Sequence, residues 1–352
     1  MLGMQFAHRH QPGLLEPAQL DDYWAHGWFR MRQNVFTTHF LEFDSVFHSA
    51  IWLRVHLAAW EDDRAFVRLR KQNRRFSAFF RRCEPGPPSL ELEALFQRYR
   101  ATLDFEVSPT LNALLLGRKR TSIYSSWQIE LYDGERLVGS GIFDLGGQAA
   151  AGITSFADPD YHKFSLGKYL IYLKMQWCRE RGLQWFYPGY YAPGNSHFDY
   201  KLHLGAAALE YLDMGSGRWQ VLSRERLPVP PLELMQVKLR ELQQVLQTQG
   251  IPLEVQHYLH LDINLNPQLQ GMSLFDFPVF LNSLPIAAVF DPRDGQYHLL
   301  LCRPVYAFPE APHREGLYES DLLSLEQTLF SSVKLEDVAL ALQTFYGAVQ
   351  VF

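Results

Sequence analysis

One helix and the segments around it constrain this chain more than any other feature. Between Lys163 and Arg181, the residues Leu166, Leu170, Leu173 and Trp177 fall at i, i+4, i+7 and i+11, a single apolar stripe on a helix. Before it come three strand-like runs, Ser122–Tyr132, Arg136–Leu145 and Ala149–Ala157, joined by the turn signals Asp133-Gly134 and Gly146-Gly147. After it, Gly182 stands where a helix usually ends, Leu183–Tyr187 reads as a buried strand, and Pro188-Gly189 breaks that run. A helix joining two neighbouring parallel strands must cross the sheet in the right-handed sense. The order β-β-β-α-β therefore predicts one mixed sheet, with the third and fourth strands adjacent and the helix on one face.

The flanks are less regular. Gln19–Phe47 opens with a short helical pattern and continues through Trp28-Phe29-Arg30 to the extended run Asn34–Thr38. Ala50–Leu57 alternates as a strand does. From Arg64 to Arg82, Phe66, Leu69, Phe76, Phe79 and Phe80 are spaced among arginines as on an amphipathic basic helix, which the prolines after Glu84 would stop. Ser89 is placed to cap a second helix, Leu90–Leu103, with Glu91 and Glu93 where the helix dipole favours acids. Beyond a proline-rich linker, Arg226–Pro231, a helix over Leu232–Gln249, a strand over Leu253–Ile263, a hairpin (Ile286–Phe290 with Tyr297–Cys302) and two helices (Asp321–Phe330 and Glu336–Tyr346) are expected.

Apolar residues make up 47% and charged residues 20% of the 352, which suits a globular chain and excludes a disordered one. No run approaches the roughly 20 apolar residues of a membrane span, and the first dozen residues lack the apolar core of a signal peptide, so the cytoplasm is the expected location with no membrane partner. Cys83, Cys178 and Cys302 lie too far apart to read as a metal pair or disulfide framework. The net charge of −5 hides an asymmetry: Arg64–Arg120 holds 13 Lys/Arg against 5 Asp/Glu, a surplus of +8. Such a surplus fits either a polyanion footprint or ordinary solvated helix faces.

Three blocks then take on meaning together. The first is Trp28-Phe29-Arg30 with Val35-Phe36-Thr37 and Leu53-Arg54-Val55. The second runs from Ser155-Phe156-Ala157-Asp158-Pro159-Asp160-Tyr161 into Ser165-Leu166-Gly167-Lys168-Tyr169, and the third is Pro188-Gly189-Tyr190-Tyr191 followed by Phe198-Asp199-Tyr200-Lys201. In order and spacing they resemble the arginyl- and leucyl-tRNA–protein transferase family over roughly Gln19–Leu212. The resemblance implies an α+β fold, a GNAT-like mixed sheet with flanking helices, to which a C-terminal α/β extension is added. It divides the chain into an opening region (1–62), an acyltransferase core (63–225) and the extension (226–352). The implied activity moves an amino acid from charged tRNA to the N-terminal amine of a protein or peptide, without a cofactor. The chain departs from the family in one place. No cysteine stands between Val35 and Leu53, where relatives commonly hold a cluster, so no metal cluster is expected.

The resemblance also implies site residues. In a GNAT fold the donor sits at the N-terminus of the helix after the third core strand, where free N–H groups favour anions. Ser165 and Gly167 stand there, with Phe164 and bulky Tyr169 where acetyl-CoA users keep Arg/Gln and a small residue, which argues against a tight pyrophosphate cradle. The plainer reading is that Ser165 caps the helix and Gly167 allows close packing. Tyr190, Tyr191, Tyr200 and Lys201 follow the next strand at the expected acceptor cleft, with Trp28 and Arg30 as further binding residues. Asp158 and Tyr161 are candidates for steering the attacking amine, and Tyr200 and Lys201 for the chemistry itself. Arg70, Lys71, Arg74 and Arg75, with Arg118-Lys119-Arg120, would hold tRNA on one side of the cleft mouth. Two other readings remain: an N-acetyltransferase using acetyl-CoA, and a non-catalytic relative that binds peptide or RNA.

Overall fold

The protein is described from a computed structural model covering residues 6–43, 46–223, 225, 227–258, 260–269, 271–306, 318–319 and 321–349. Near the N-terminus, β1 (Ala7–His10), β2 (Phe29–Met31) and β3 (Asn34–Thr38) form a small antiparallel sheet in the order β1-β3-β2, with α1 (Pro17–Ala25) between the first two. The hairpin β4 (Phe40–Phe43) and β5 (Val46–Ser49) leads into β6 (Ile51–His56). Then follow α2 (Arg64–Gln72), β7 (Ser77–Arg82), α3 (Leu90–Arg100) and α4 (Leu111–Leu115). The regular stretch is β8 (Ser126–Asp133), β9 (Arg136–Leu145), β10 (Ala149–Ala157), α5 (Leu166–Glu180) and β11 (Trp185–Tyr191), after which come β12 (Leu209–Asp213) and β13 (Arg218–Val221).

The last-named strands join β6 and β7 in one eight-stranded sheet of order β13-β12-β6-β11-β10-β9-β8-β7. Every pair is antiparallel except β10–β11, where Ala149, Ala150 and Ala151 face Trp185, Phe186 and Tyr187 in parallel. The third and fourth predicted strands are thus neighbours. Period-two alternation splits their side chains between two cores. Ala150, Phe186 and Leu53 face α5 and α2, while Ala149, Ala151, Tyr187 and Trp52 face α1 and the small sheet. Further along that second face, α3 and α4 cover Leu137, Ile142 and Phe156. The stripe Leu166, Leu170, Leu173 and Trp177 is buried as predicted. At the end of α5, Gly182 at φ +76° and Leu183 return hydrogen bonds to Arg179 and Cys178, the paired bonds of a Schellman stop.

Some sequence expectations need correction. The basic stretch Arg64–Arg82 is not one helix. Asp63 caps α2 and accepts from the Phe66 amide, but fully buried Asn73 ends it and donates to the Phe164 carbonyl. Beyond Asn73 the period becomes two: Phe80 stacks on Trp177 while Phe79 is exposed, and β7 closes the sheet edge. The predicted strand Leu183–Tyr187 begins later and runs through Pro188-Gly189. Register shifts between Phe186 and Gly189, so the proline occupies an irregular position where no ladder bond is lost. Ser165 sits at the N-cap of α5 in a left-handed conformation (φ +51°), and its side chain makes no capping bond. By contrast Ser89 caps α3 as expected.

In the C-terminal part, α6 (Pro231–Thr248) and α7 (Leu335–Val349) pack on a six-stranded sheet of β14 (Glu254–Tyr258), β15 (Val279–Ser283), β16 (Ile286–Asp291), β17 (Gln296–Tyr306), β18 (Tyr318–Glu319) and β19 (Leu322–Ser332). The expected helix Asp321–Phe330 is instead the strand β19, paired along the length of β17, so tertiary pairing overrides a helical spacing of leucines. The expected strand Leu253–Ile263 ends at Tyr258 and gives way to a 3-10 turn. Arg226, at the head of the proline-rich linker, lies outside the described residues.

The small N-terminal sheet is fixed to the large one by an ion pair. The Arg30 guanidinium, 3% exposed, donates to Asp144 at 2.9 Å, to the Ser126 hydroxyl and to the Leu115 carbonyl, and it lies over the Tyr124 ring. Removing one partner strands a buried charge. We expect Arg30→Ala to lower the unfolding free energy by about 3–5 kcal/mol in denaturant titrations, whereas Arg75→Ala, at an exposed pair, should change it little.

Candidate active site

β10 and β11 stay paired only through Ala151 and Tyr187. Beyond that point each is irregular, β10 between Gly152 and Thr154 and β11 between Phe186 and Gly189, and the two strands part. The gap is walled by two cavities that share Gly152, Ile153, Pro188 and Lys201. One, of about 320 Å³, reaches the first turns of α5 and includes Gly167, Lys168, Lys174, Ser155 and Tyr200. The other, of about 570 Å³, lies toward the N-terminal layer and is lined by Trp52, Tyr190 and Phe198, with Arg9 and Arg32 among its cationic walls.

Lys201 stands between the two. It is 9% exposed, its Nζ donates to the Tyr190 carbonyl at 2.7 Å, and it lies 5.1 Å and 5.0 Å from the Tyr190 and Phe198 ring centres. No carboxylate pairs with it among the described residues. Burial alone pushes its amine down to about 7. Gly189, at φ +90°, permits this approach, since a Cβ there would sit 3.2 Å from the Lys201 nitrogen in a backbone conformation that L side chains rarely adopt.

The N-terminus of α5 opens on the smaller cavity. Its first intrahelical bond runs from the Tyr169 amide to the Ser165 carbonyl, leaving the amides of Leu166, Gly167 and Lys168 ahead of the ladder. A Cβ on Gly167 would meet nothing within 4 Å, so close packing is not the reason for glycine here. Tyr169 is 7% exposed and packs in the α2–α5 core, and Phe164 packs on Phe76; neither lines the cavity. The bulk expected to crowd a phosphate cradle is therefore turned away from it.

Other expected site residues are elsewhere. Asp158 accepts from Arg98 and Arg136, both at 2.6 Å. Burial would raise its carboxyl, but the Asp160 amide and the two guanidiniums outweigh that and hold it below the ordinary carboxylate range. The Tyr161 hydroxyl donates to Asp133. Both belong to a lock on the loop before α5 and line neither cavity. Trp28 and Tyr191 are buried core residues; Arg30 does line the larger cavity, but its guanidinium is engaged by Asp144. Tyr190, Tyr200, Lys201 and Gly167 are brought together. Lys174, Ser155, Trp52, Arg9 and Arg32 were not legible, because nothing in a helical or strand period separates an inward-facing lysine from a solvated one.

The basic residues divide likewise. Arg64, Arg68, Lys71 and Arg74 line an open groove on α2. Arg70 pairs with Asp62 and Arg75 with Asp133. Arg118, Lys119 and Arg120 are exposed just after α4, which packs on the opposite face of the sheet from α2. The two groups do not share one side of the cleft.

Residues 72–210, which hold the cleft, match the family described as arginine-tRNA-protein transferase, C terminus. The aspartate/glutamate leucyltransferase of Acinetobacter baumannii is 32% identical over 107 residues, 30% of this chain and 38% of that protein. The same enzyme of Leptospira interrogans is 28% identical over 137 residues, 37% of this chain and 53% of that one. The chain therefore spans about two fifths to one half of the length of these relatives. The solved structure of L-PGS from Bacillus licheniformis matches at 15% identity and a TM-score of 0.32 over 51% of this chain and 53% of its own, too loose a likeness to carry an argument. The matched segment thus resembles the aminoacyl-tRNA–protein transferases, the family that its motifs suggested.

Lys174, 1% exposed on α5, is the second buried amine, also pushed down to about 7 by burial. A lysine whose folded value lies below its unfolded one costs stability while the unfolded chain alone is protonated, so unfolding free energy rises with pH above about 7. Each lysine contributes up to about 1.4 kcal/mol per pH unit. Between pH 7 and 8, below most of the range where the neighbouring Cys178 thiol titrates when unfolded, we expect chemical denaturation to show this rise, and Lys174→Met to remove about half of it.

Proposed function

We infer that this protein moves an aminoacyl group from charged tRNA onto the N-terminal amine of a protein or peptide. The observation that carries the reading is the pair of cavities meeting at Lys201, inside the segment that resembles the transferases. On this reading the sheet is GNAT-like, with residues 1–62, 63–225 and 226–352 as opening region, acyltransferase core and extension, and the protein works in the cytoplasm; no described helix is long and apolar enough to cross a membrane. The acceptor end of the tRNA enters the smaller cavity, its phosphates near the free amides and Lys168 of α5. The acceptor peptide enters the larger one, where Tyr190, Phe198 and Trp52 give it apolar walls and Arg9 and Arg32 favour acidic residues.

The chemistry needs only a neutral α-amine held against the ester. Its nitrogen attacks the carbonyl carbon, a C–N bond forms, and the bond to the ribose oxygen breaks. Lys201, near the pKa of roughly 7.7–8.0 of an α-amine, takes the amine proton and returns it to the leaving ribose oxygen. Tyr200, exposed at the rim of the donor cavity, donates to that oxygen. An acetyl-CoA reading keeps one supporting observation, the open N-terminus of α5 with Tyr169 out of the way.

The deciding assay offers the purified protein a panel of charged tRNAs, acetyl-CoA, and peptides differing in their first residue. Transfer of an amino acid supports the reading; acetyl transfer in its place rejects it. Lys201→Met should cut transfer by on the order of 10²-fold while the melting temperature changes little, because losing a buried charge without a counter-ion offsets losing the bond to the Tyr190 carbonyl. Replacing Arg68 and Arg74 by Ala should reduce the salt slope of tRNA binding by about one to two units, as each lost phosphate contact accounts for about 0.9. A slope equal to wild type would make α2 an ordinary solvated face.

A further inference from the structure

Among the described residues, the smaller cavity is lined by three lysines, Lys168, Lys174 and Lys201, and by no carboxylate. The Lys174 ammonium has three N–H groups. Two are used, one on the Thr154 carbonyl at 2.8 Å and one on the Ile142 carbonyl at 3.1 Å. Those bonds satisfy carbonyls of β9 and β10 where their pairing is irregular, a task that any neutral donor would perform. A charge and one N–H remain over. The fold makes room for this particular side chain, since a Cβ at Gly141 would come within 2.8 Å of the Lys174 Cε. Beside it, the Ser155 hydroxyl is buried without a partner, and Lys201 has used one N–H of three. The inner wall therefore offers hydrogen-bond donors and positive charge, with no acidic side chain to answer them.

We propose that this inner wall is a subsite for a carboxylate, and that Lys174 with Ser155 makes the protein select a donor amino acid with an acidic side chain and reject a basic one. The inference rests on the reading of this cavity as the donor site. A side-chain carboxylate there accepts from Lys174 and Ser155, filling N–H and O–H groups that are otherwise buried and idle, and leaves Lys201 to its part in proton transfer. A guanidinium in the same place adds like charge to a desolvated site and has no acceptor to meet, which is a repulsive element as well as a missing attraction. An apolar side chain avoids the repulsion and leaves the donors unfilled, so it ranks between the two.

The test uses adenosine carrying glutamate, leucine or arginine through a 3′-amide, a linkage that cannot transfer, with binding to the full chain read by calorimetry. The glutamyl compound should bind at least about tenfold tighter than the leucyl one, and the arginyl compound weakest. Lys174→Gln keeps a donor for the β9 and β10 carbonyls without the charge, and it should bring the glutamyl compound to within about threefold of an unchanged leucyl one. Ser155→Ala, at a hydroxyl that bonds to nothing and so does not endanger the fold, should weaken the glutamyl compound alone by several-fold. Leucyl or arginyl compound bound by the wild type as tightly as glutamyl, or an order unchanged in both variants, overturns the proposal while the donor reading stands. If none of the three binds, the donor reading falls and takes the subsite with it.

Discussion

Everything that distinguishes this sheet follows from its one parallel pair. Seven strand contacts could, in principle, continue without a break, and an unbroken sheet has no interior opening. The pairing of β10 with β11 instead lasts three residues before both strands become irregular and part. Parting frees backbone groups that would otherwise bond to each other, and the fold must satisfy them by other means. It does so with amines. Lys201 takes the Tyr190 carbonyl from the β11 side, and Lys174 takes the Thr154 carbonyl from the β10 side. The same two lysines thereby become the chemical content of the gap, so the opening and its reactive groups have a single physical origin.

The surrounding layers hold that opening in place. On one face α5 is pinned by its apolar stripe and by Lys174. On the other, Asp21 accepts from the amides of Gly147, Gln148 and Ala149, fixing α1 against the turn that starts β10. The loop leading to α5 is tied down by Asp158 between Arg98 and Arg136 and by Tyr161 on Asp133. These are the polar residues that the sequence made look catalytic. Their positions close to the motif are real, but their charges are already answered by protein partners. A carboxylate bonded to two guanidiniums has little left to offer a substrate, whereas a buried amine with one bond of three has much.

That contrast explains how far the sequence could be read. The β-β-β-α-β core was legible because hairpin turns and a 3.6-residue stripe are local signals, and β9 and β10 fall where they were expected to the residue. Boundaries failed where a tertiary partner decided them. Asn73 ends a basic helix because Phe164 offers it a carbonyl, and Leu322–Ser332 is a strand because β17 lies beside it. Of the site, Gly167, Tyr190, Tyr200 and Lys201 were found through the motifs. Lys174 was not. On a helical wheel it is one more polar residue among Lys168, Gln176 and Arg179, and only the position of α5 over the irregular part of β10 turns it inward.

The two lysines also show why burial and pairing have to be weighed together. The Arg30 side chain is nearly as buried as Lys174, yet it has Asp144, Ser126 and a carbonyl, and it serves as a fastening between layers. Lys174 and Lys201 have carbonyls only. A carbonyl stabilises an ammonium less than a carboxylate does, and burial is then not offset, which is why both amines fall to about 7. An amine in that range is neutral often enough to accept a proton and charged often enough to hold an anion. Replacing either by a neutral donor of similar volume removes a buried charge that lacks a counter-ion while keeping the carbonyls satisfied, so on stability grounds alone these positions favour a neutral hydrogen-bond donor. Lysines held against that gradient, both on one small cavity, are the groups on which the proposed function rests.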